Sequence, residues 1–178
     1  MKRLSYLLLA VCFTFTLNAC SQTSKVAPQK KAVIEAKTPN PYYSRTDTKK
    51  LKLSNAEWKK VLSPDLYEVS RNADTERAFT GQYWNSETKG TYYCAACGNK
   101  LFESTAKFSS SCGWPSFFKQ DNKNSTIEKI DNSLGMERIE VLCARCDGHL
   151  GHIFDDGPPP TGKRYCMNSI ALDFEPKK

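Results

Sequence analysis

The sequence predicts a mainly β domain of antiparallel sheets with a short helical part at its N-terminal side. Three observations carry this. After Gly90 the chain falls into short alternating runs, Gly90–Cys94, Ser116–Lys119, Thr126–Asp131, Met136–Cys143 and Arg164–Phe174, separated by Gly, Asn, Asp and Pro. Before them, Ser54-Asn55-Ala56-Glu57 is a capping box with Leu53 and Trp58 spaced as a hydrophobic staple, and Ser63-Pro64-Asp65 ends that helix and starts another. Two widely separated Cys-x-x-Cys pairs, Cys94/Cys97 and Cys143/Cys146, add a cross-link to the β part.

The N-terminal helical part follows a segment of different character. Lys2-Arg3 precedes an apolar stretch from Leu4 to Leu17 and then Asn18-Ala19-Cys20, the layout of a secretory signal. The apolar run falls short of the roughly 20 residues a membrane-spanning helix needs. Leu17-Asn18-Ala19-Cys20 resembles a bacterial lipobox, so residues 1–19 are expected to be removed and Cys20 acylated, tethering the chain to a membrane surface without spanning it. Residues 20–52, rich in Lys, Thr, Ser, Pro and Ala, are expected to be a flexible basic spacer, and residues 53–175 the folded domain. Localisation is then outside the cytoplasm, on the periplasmic or extracellular side of a membrane.

Composition agrees with one globular domain: 178 residues, 39% hydrophobic, 11% aromatic and 25% charged. The net charge of +7 raises the question of nucleic acid, and its distribution answers it. The excess sits in the N-terminal third, while the residues after position 60 are slightly acidic. A groove that tracks phosphates is not expected there.

Each Cys-x-x-Cys pair lets one turn direct two sulfurs at a single metal. Together Cys94, Cys97, Cys143 and Cys146 make a closed four-thiolate site for one structural zinc ion, pinning two distant hairpins. Disulfides are the competing reading in an oxidising compartment. A third arrangement takes His149 with three of the cysteines.

Of eight cysteines, Cys12 leaves with the signal, Cys20 is acylated and four hold metal, leaving Cys112 and Cys166. Composition alone suggests a structural disulfide between them. Their neighbours suggest chemistry. If the run from Arg164 is one strand, Arg164, Cys166 and Asn168 share a face that continues into Ile170, Leu172 and Phe174. A guanidinium beside a thiol lowers its pKa, and an amide can donate to a substrate. His149 and His152 can move protons near neutral pH, oriented by Asp155 or Asp156, or can simply pack beside the knuckle. Trp114, in a turn with Cys112, can wall an apolar methyl or thioether, or be a core residue.

The ordered set Cys94-x-x-Cys97, Ser-Cys-Gly-Trp-Pro-Ser-Phe117, Cys143-x-x-Cys146, Gly-His-x-Gly-His-Ile-Phe-Asp-Asp-Gly157 and Arg-Tyr-Cys-Met-Asn-Ser169 resembles the methionine sulfoxide reductase B family over about Leu53 to Phe174. The resemblance implies reduction of methionine-R-sulfoxide, free or in proteins, on a β-rich fold with a structural zinc remote from the active site. It implies Cys166 as nucleophile, Cys112 as resolving cysteine, and Trp114 and Phe154 as the pocket for the substrate methyl group. His149, His152, Asp156, Arg164 and Asn168 would polarise the sulfoxide, supply protons or position the nucleophile. A thioredoxin-like dithiol would recycle the disulfide, and a monomer repairing oxidised exported proteins is expected. The rival classes are a zinc-ribbon binding module, opposed by the acidic domain, and a disulfide-stapled structural lipoprotein.

Overall fold

The computed structural model describes residues 39–178. The expected signal segment 1–19, the acylated Cys20 and the first part of the spacer lie outside the described residues. No helix among those described is long and apolar enough to cross a membrane.

Helix α1, Asn55–Val61, begins as the capping box requires: the Ser54 hydroxyl accepts from the Glu57 N–H at 3.3 Å and the Glu57 carboxylate accepts from the Ser54 N–H at 2.7 Å. Helix α2, Pro64–Asn72, starts with proline at its first position after Ser63 and ends at Ala73 in the left-handed region. Trp58, Leu62, Leu66 and Val69 turn inward from this helical pair onto the β core.

Among the described residues, nine strands form two antiparallel sheets. β1 (Gly90–Cys94) lies between β2 (Lys100–Glu103) and β9 (Leu172–Pro176). The second sheet runs β3 (Lys107–Phe108), β4 (Ser116–Phe117), β8 (Arg164–Met167), β7 (His149–Phe154), β6 (Arg138–Cys143) and β5 (Thr126–Asp131). Aromatic rings join the sheets: Phe102 of β2 stacks on Phe117 of β4 with centroids 4.3 Å apart, and Tyr165 of β8 tilts against Phe102 at 5.7 Å.

Two expectations are corrected. The run Arg164–Phe174 is not one strand. β8 ends at Met167, a 3-10 turn over Ser169–Ala171 intervenes, and β9 joins the other sheet. Arg164 and Cys166 therefore share a face, whereas Ile170, Leu172 and Phe174 do not continue it. Residues 39–52, assigned by composition to the spacer, contain no helix or strand but are bonded to the domain. The Ser44 N–H donates to the Cys97 carbonyl at 3.0 Å and the Leu51 N–H to the Arg145 carbonyl at 2.8 Å. The buried Arg145 guanidinium in turn donates to the carbonyls of Tyr42, Lys49 and Cys97 and pairs with Asp47. Polar composition hides such a segment because its attachment is through backbone groups.

Candidate active site and metal centre

Both cysteine pairs sit on hairpin turns, Cys94 and Cys97 between β1 and β2, Cys143 and Cys146 between β6 and β7. Within each knuckle a backbone bond closes the loop, from the Gly98 N–H to the Cys94 carbonyl and from the Asp147 N–H to the Cys143 carbonyl. Residues at positive φ, Gly98 at 81° and Asp147 at 55°, complete the turns. The four sulfurs are buried and lie within 4.8 Å of one another, with Cys94 to Cys146 at 3.7 Å and Cys97 to Cys143 at 3.6 Å. Tetrahedral thiolates about 2.3 Å from one ion stand about 3.8 Å apart, so the donor set fits a metal such as zinc. His149 is not in the cluster. Because the two hairpins belong to different sheets, an ion held here ties the sheets together.

A β-bulge shapes the second site. Leu142 of β6 faces His149 while the next pair is Val141 and Gly151, so Leu150 is an extra residue on β7. In a regular strand residues three apart face opposite ways. The bulge brings His149 and His152 to one side, with ring centroids 5.4 Å apart. Gly151 sits between them because a Cβ there would come within 2.0 Å of the Cys166 carbonyl oxygen. Across the strands, Ser116, Cys166, His152 and Glu140 are successive register partners on β4, β8, β7 and β6. This row runs perpendicular to the strands, where the sequence suggested a row along one.

Cys112 completes it from the turn before β4, its sulfur 3.4 Å from that of Cys166 and 3.5 Å from the Ser116 hydroxyl. Both cysteines are partly exposed and unbridged. Trp114 is half-buried rather than a core residue, and its indole N–H donates to the Glu76 carbonyl at 3.1 Å. Arg164 forms a two-point pair with Asp156, both contacts 2.7 Å, and lies over the Phe154 ring at 4.4 Å. Asn168 is buried and spends its amide on structure, donating to the Leu150 carbonyl and accepting from the Glu76 N–H.

The histidines are oriented by residues that the sequence did not single out. His149 Nδ1 donates to Glu140 at 2.7 Å, and His152 Nε2 to Asp131 at 2.8 Å, a carboxylate that also binds Arg138. Asp155 and Asp156 are engaged by Lys163 and Arg164 instead. No local motif marks Glu140 and Asp131. Only the β5–β6–β7 register brings them to the imidazoles. Burial lowers the His149 pKa despite Glu140, so the ring is neutral near pH 7 and its unpartnered buried Nε2 is an acceptor. Asp131 is held well below the usual carboxylate range by hydrogen bonds from Ser133 and then from His152.

The two thiols titrate as a pair. Burial would raise Cys112, but hydrogen bonds involving Ser110, Ser116, the Trp114 backbone and Cys166 outweigh it and bring it down to about 7. Burial pushes Cys166 up to about 12, helped by the charge and hydrogen bond of Cys112. Arg164 acts in the lowering direction expected of it but does not prevail. Between those limits the pair carries one negative charge, resting on Cys112. Alkylation of the pair should therefore climb about tenfold per pH unit below pH 7 and level off above it. Cys112→Ser should move the remaining thiol of Cys166 downward from about 12, since two of its raising causes vanish. Iodoacetamide rates read by peptide mass spectrometry check both, and a wild-type midpoint near that of a free thiol would contradict them.

Two thiols in near contact, with Arg164 on the strand of Cys166 and His152 as its register partner, make the site of a thiol oxidoreductase. The SelR domain family matches residues 62–176. The chain is 54% identical over 124 residues to the peptide methionine sulfoxide reductase MsrB of Thiobacillus denitrificans, covering 70% of this chain and 94% of that one. It is 56% identical over 132 residues to the enzyme of the same name from Bradyrhizobium diazoefficiens, covering 74% and 94%. The MsrB protein of Acinetobacter baylyi is 52% identical over 126 residues, covering 71% and 91%. The chain thus belongs to the SelR family of MsrB-type oxidoreductases.

Proposed function

We propose that this protein reduces methionine-R-sulfoxide, protein-bound or free, to methionine. The observation that carries the reading is the 3.4 Å separation of the Cys112 and Cys166 sulfurs beside Trp114 and the His149–His152 pair. The Cys166 proton passes to Cys112, and the Cys166 sulfur bonds to the sulfoxide sulfur while His152, its register partner, gives a proton to the sulfoxide oxygen; that S–S bond breaks again as the oxygen moves. Oxygen moves from substrate to Cys166: the substrate S–O bond breaks, methionine is reduced by two electrons, and Cys166 becomes a sulfenic acid. Cys112 then displaces that hydroxyl as water, giving a Cys112–Cys166 disulfide. A thioredoxin-like dithiol reduces it in turn. Arg164, fixed by Asp156, and Phe154 border the nucleophile, and Asn168 anchors the end of its strand.

Cys94, Cys97, Cys143 and Cys146 would hold one structural zinc ion, which neutralises crowded thiolates and joins the sheets. Purified enzyme should turn over the R epimer with dithiothreitol and leave the S epimer untouched. Turnover of S alone overturns the stereochemical reading, and turnover of neither overturns the function.

The export layout supports an enzyme tethered outside the cytoplasm through acylated Cys20, repairing oxidised exported proteins. Mass spectrometry of the mature N-terminus in a bacterial host should then show Cys20 carrying acyl chains. An unmodified terminus in a freely soluble protein would refute the tether.

A further inference from the structure

Glu76 lies in the loop between α2 and β1, far in sequence from every residue of the site. Its carboxylate accepts from two successive backbone N–H groups, Ser169 at 2.6 Å and Ile170 at 3.0 Å. These begin the 3-10 turn after β8, a turn that its own N-cap residue, Asn168, does not cap. The Glu76 backbone is committed as well. Its N–H donates to Asn168 Oδ1 at 3.0 Å, and its carbonyl accepts from the Trp114 indole at 3.1 Å.

One residue thus binds the segment two to four positions beyond Cys166 and the aromatic two positions beyond Cys112. The packing around it is tight. A Cβ on Gly81 would fall 2.4 Å from the Ser169 hydroxyl and 2.5 Å from the Glu76 carboxylate. A second bond, from the Phe79 N–H to the Gly113 carbonyl at 2.8 Å, fastens the same loop to the Cys112 turn.

We infer that Glu76 is a positioning residue that sets the spacing between the Trp114 wall and the Cys166 strand, and so governs binding of the sulfoxide side chain. The inference rests on the assignment of Cys166 and Trp114 proposed above. The carboxylate holds the loop to the turn after β8, and the carbonyl holds the indole to the loop. Trp114 is thereby referenced to the segment that follows the nucleophile's own strand. A charged acceptor shared by two N–H groups is stronger than a neutral one, so the amide of glutamine, which turns a donor toward one of them, releases part of the clamp.

The test is a double-mutant cycle on the full protein with the R epimer. Glu76→Gln should raise KM about tenfold, the scale of one charge-assisted hydrogen bond, while the alkylation midpoint of the cysteine pair stays near pH 7. Trp114→Phe keeps a ring but deletes the donor to Glu76. It should raise KM comparably, and adding Glu76→Gln to it should then raise KM little further. Unchanged KM in Glu76→Gln, or fully additive effects in the double variant, overturns the inference. If Glu76→Gln folds poorly, Trp114→Phe alone decides, because unchanged KM there means the indole bond positions nothing. Absence of R-epimer turnover in the wild type would instead sink the functional reading on which the inference rests.

Discussion

Replacing Cys166 with serine should abolish methionine release even in a single turnover. Cys166 is the proposed nucleophile, and loss of a nucleophile costs on the order of a thousandfold or more. Cys112→Ser should behave differently. It should still release close to one equivalent of methionine, leave a sulfenic acid on Cys166, and stall with a thioredoxin-type reductant. Dithiothreitol should partly restore turnover by attacking that sulfenic acid directly. The 3.4 Å contact makes the contrast sharp, since Cys112 is placed to close the disulfide without rearrangement. A merely structural pair predicts that both variants lose stability alike and keep comparable single-turnover activity.

Removal of metal should be the largest perturbation of stability. A structural four-cysteine zinc site contributes about 10–16 kcal/mol of binding energy, against a total folding stability of about 5–15 kcal/mol for a domain. Here the four sulfurs come from hairpins of two separate sheets, so an ion held by them would act on the whole β core rather than on one turn. Cys94→Ser, or chelation of the wild type, should lower the thermal midpoint by at least about 10 °C, the equivalent of about 4 kcal/mol in a domain this size. Molecules that remain folded should still complete a single turnover, because neither Cys112 nor Cys166 is touched. Metal analysis finding no zinc, with an unchanged midpoint after Cys94→Ser, would contradict the assignment.

Local signals carried the outline well. The capping box at Ser54, the Ser63-Pro64 start and the strands at Gly90–Cys94 and Thr126–Asp131 appear as expected, since each depends on neighbours in the chain. Each Cys-x-x-Cys knuckle is local in the same way, while the meeting of the two pairs, from hairpins of different sheets, belongs to the fold. Register escaped it. Nothing near His149 reveals that Leu150 is an extra residue, or that Glu140 and Asp131 will face the imidazoles, because those relations exist only between strands. The alternation after Cys166 misled for a related reason: β8 and β9 each alternate, but the turn at Ser169–Ala171 sends them to different sheets. Arg164, two residues before Cys166 on β8, acts on the thiol in the lowering direction, while the burial that outweighs it is a property of packing alone.

The measurement that bears most directly on the chemistry is disulfide mapping after one reaction. Fully reduced protein would receive one equivalent of methionine-R-sulfoxide, its free thiols would be alkylated under denaturing conditions, and its peptides analysed by mass spectrometry. The expected product is one equivalent of methionine and a single bridge between Cys112 and Cys166, with Cys94, Cys97, Cys143 and Cys146 recovered as thiols. A bridge within the knuckle cysteines, or methionine formed with no bridge at all, would contradict the account.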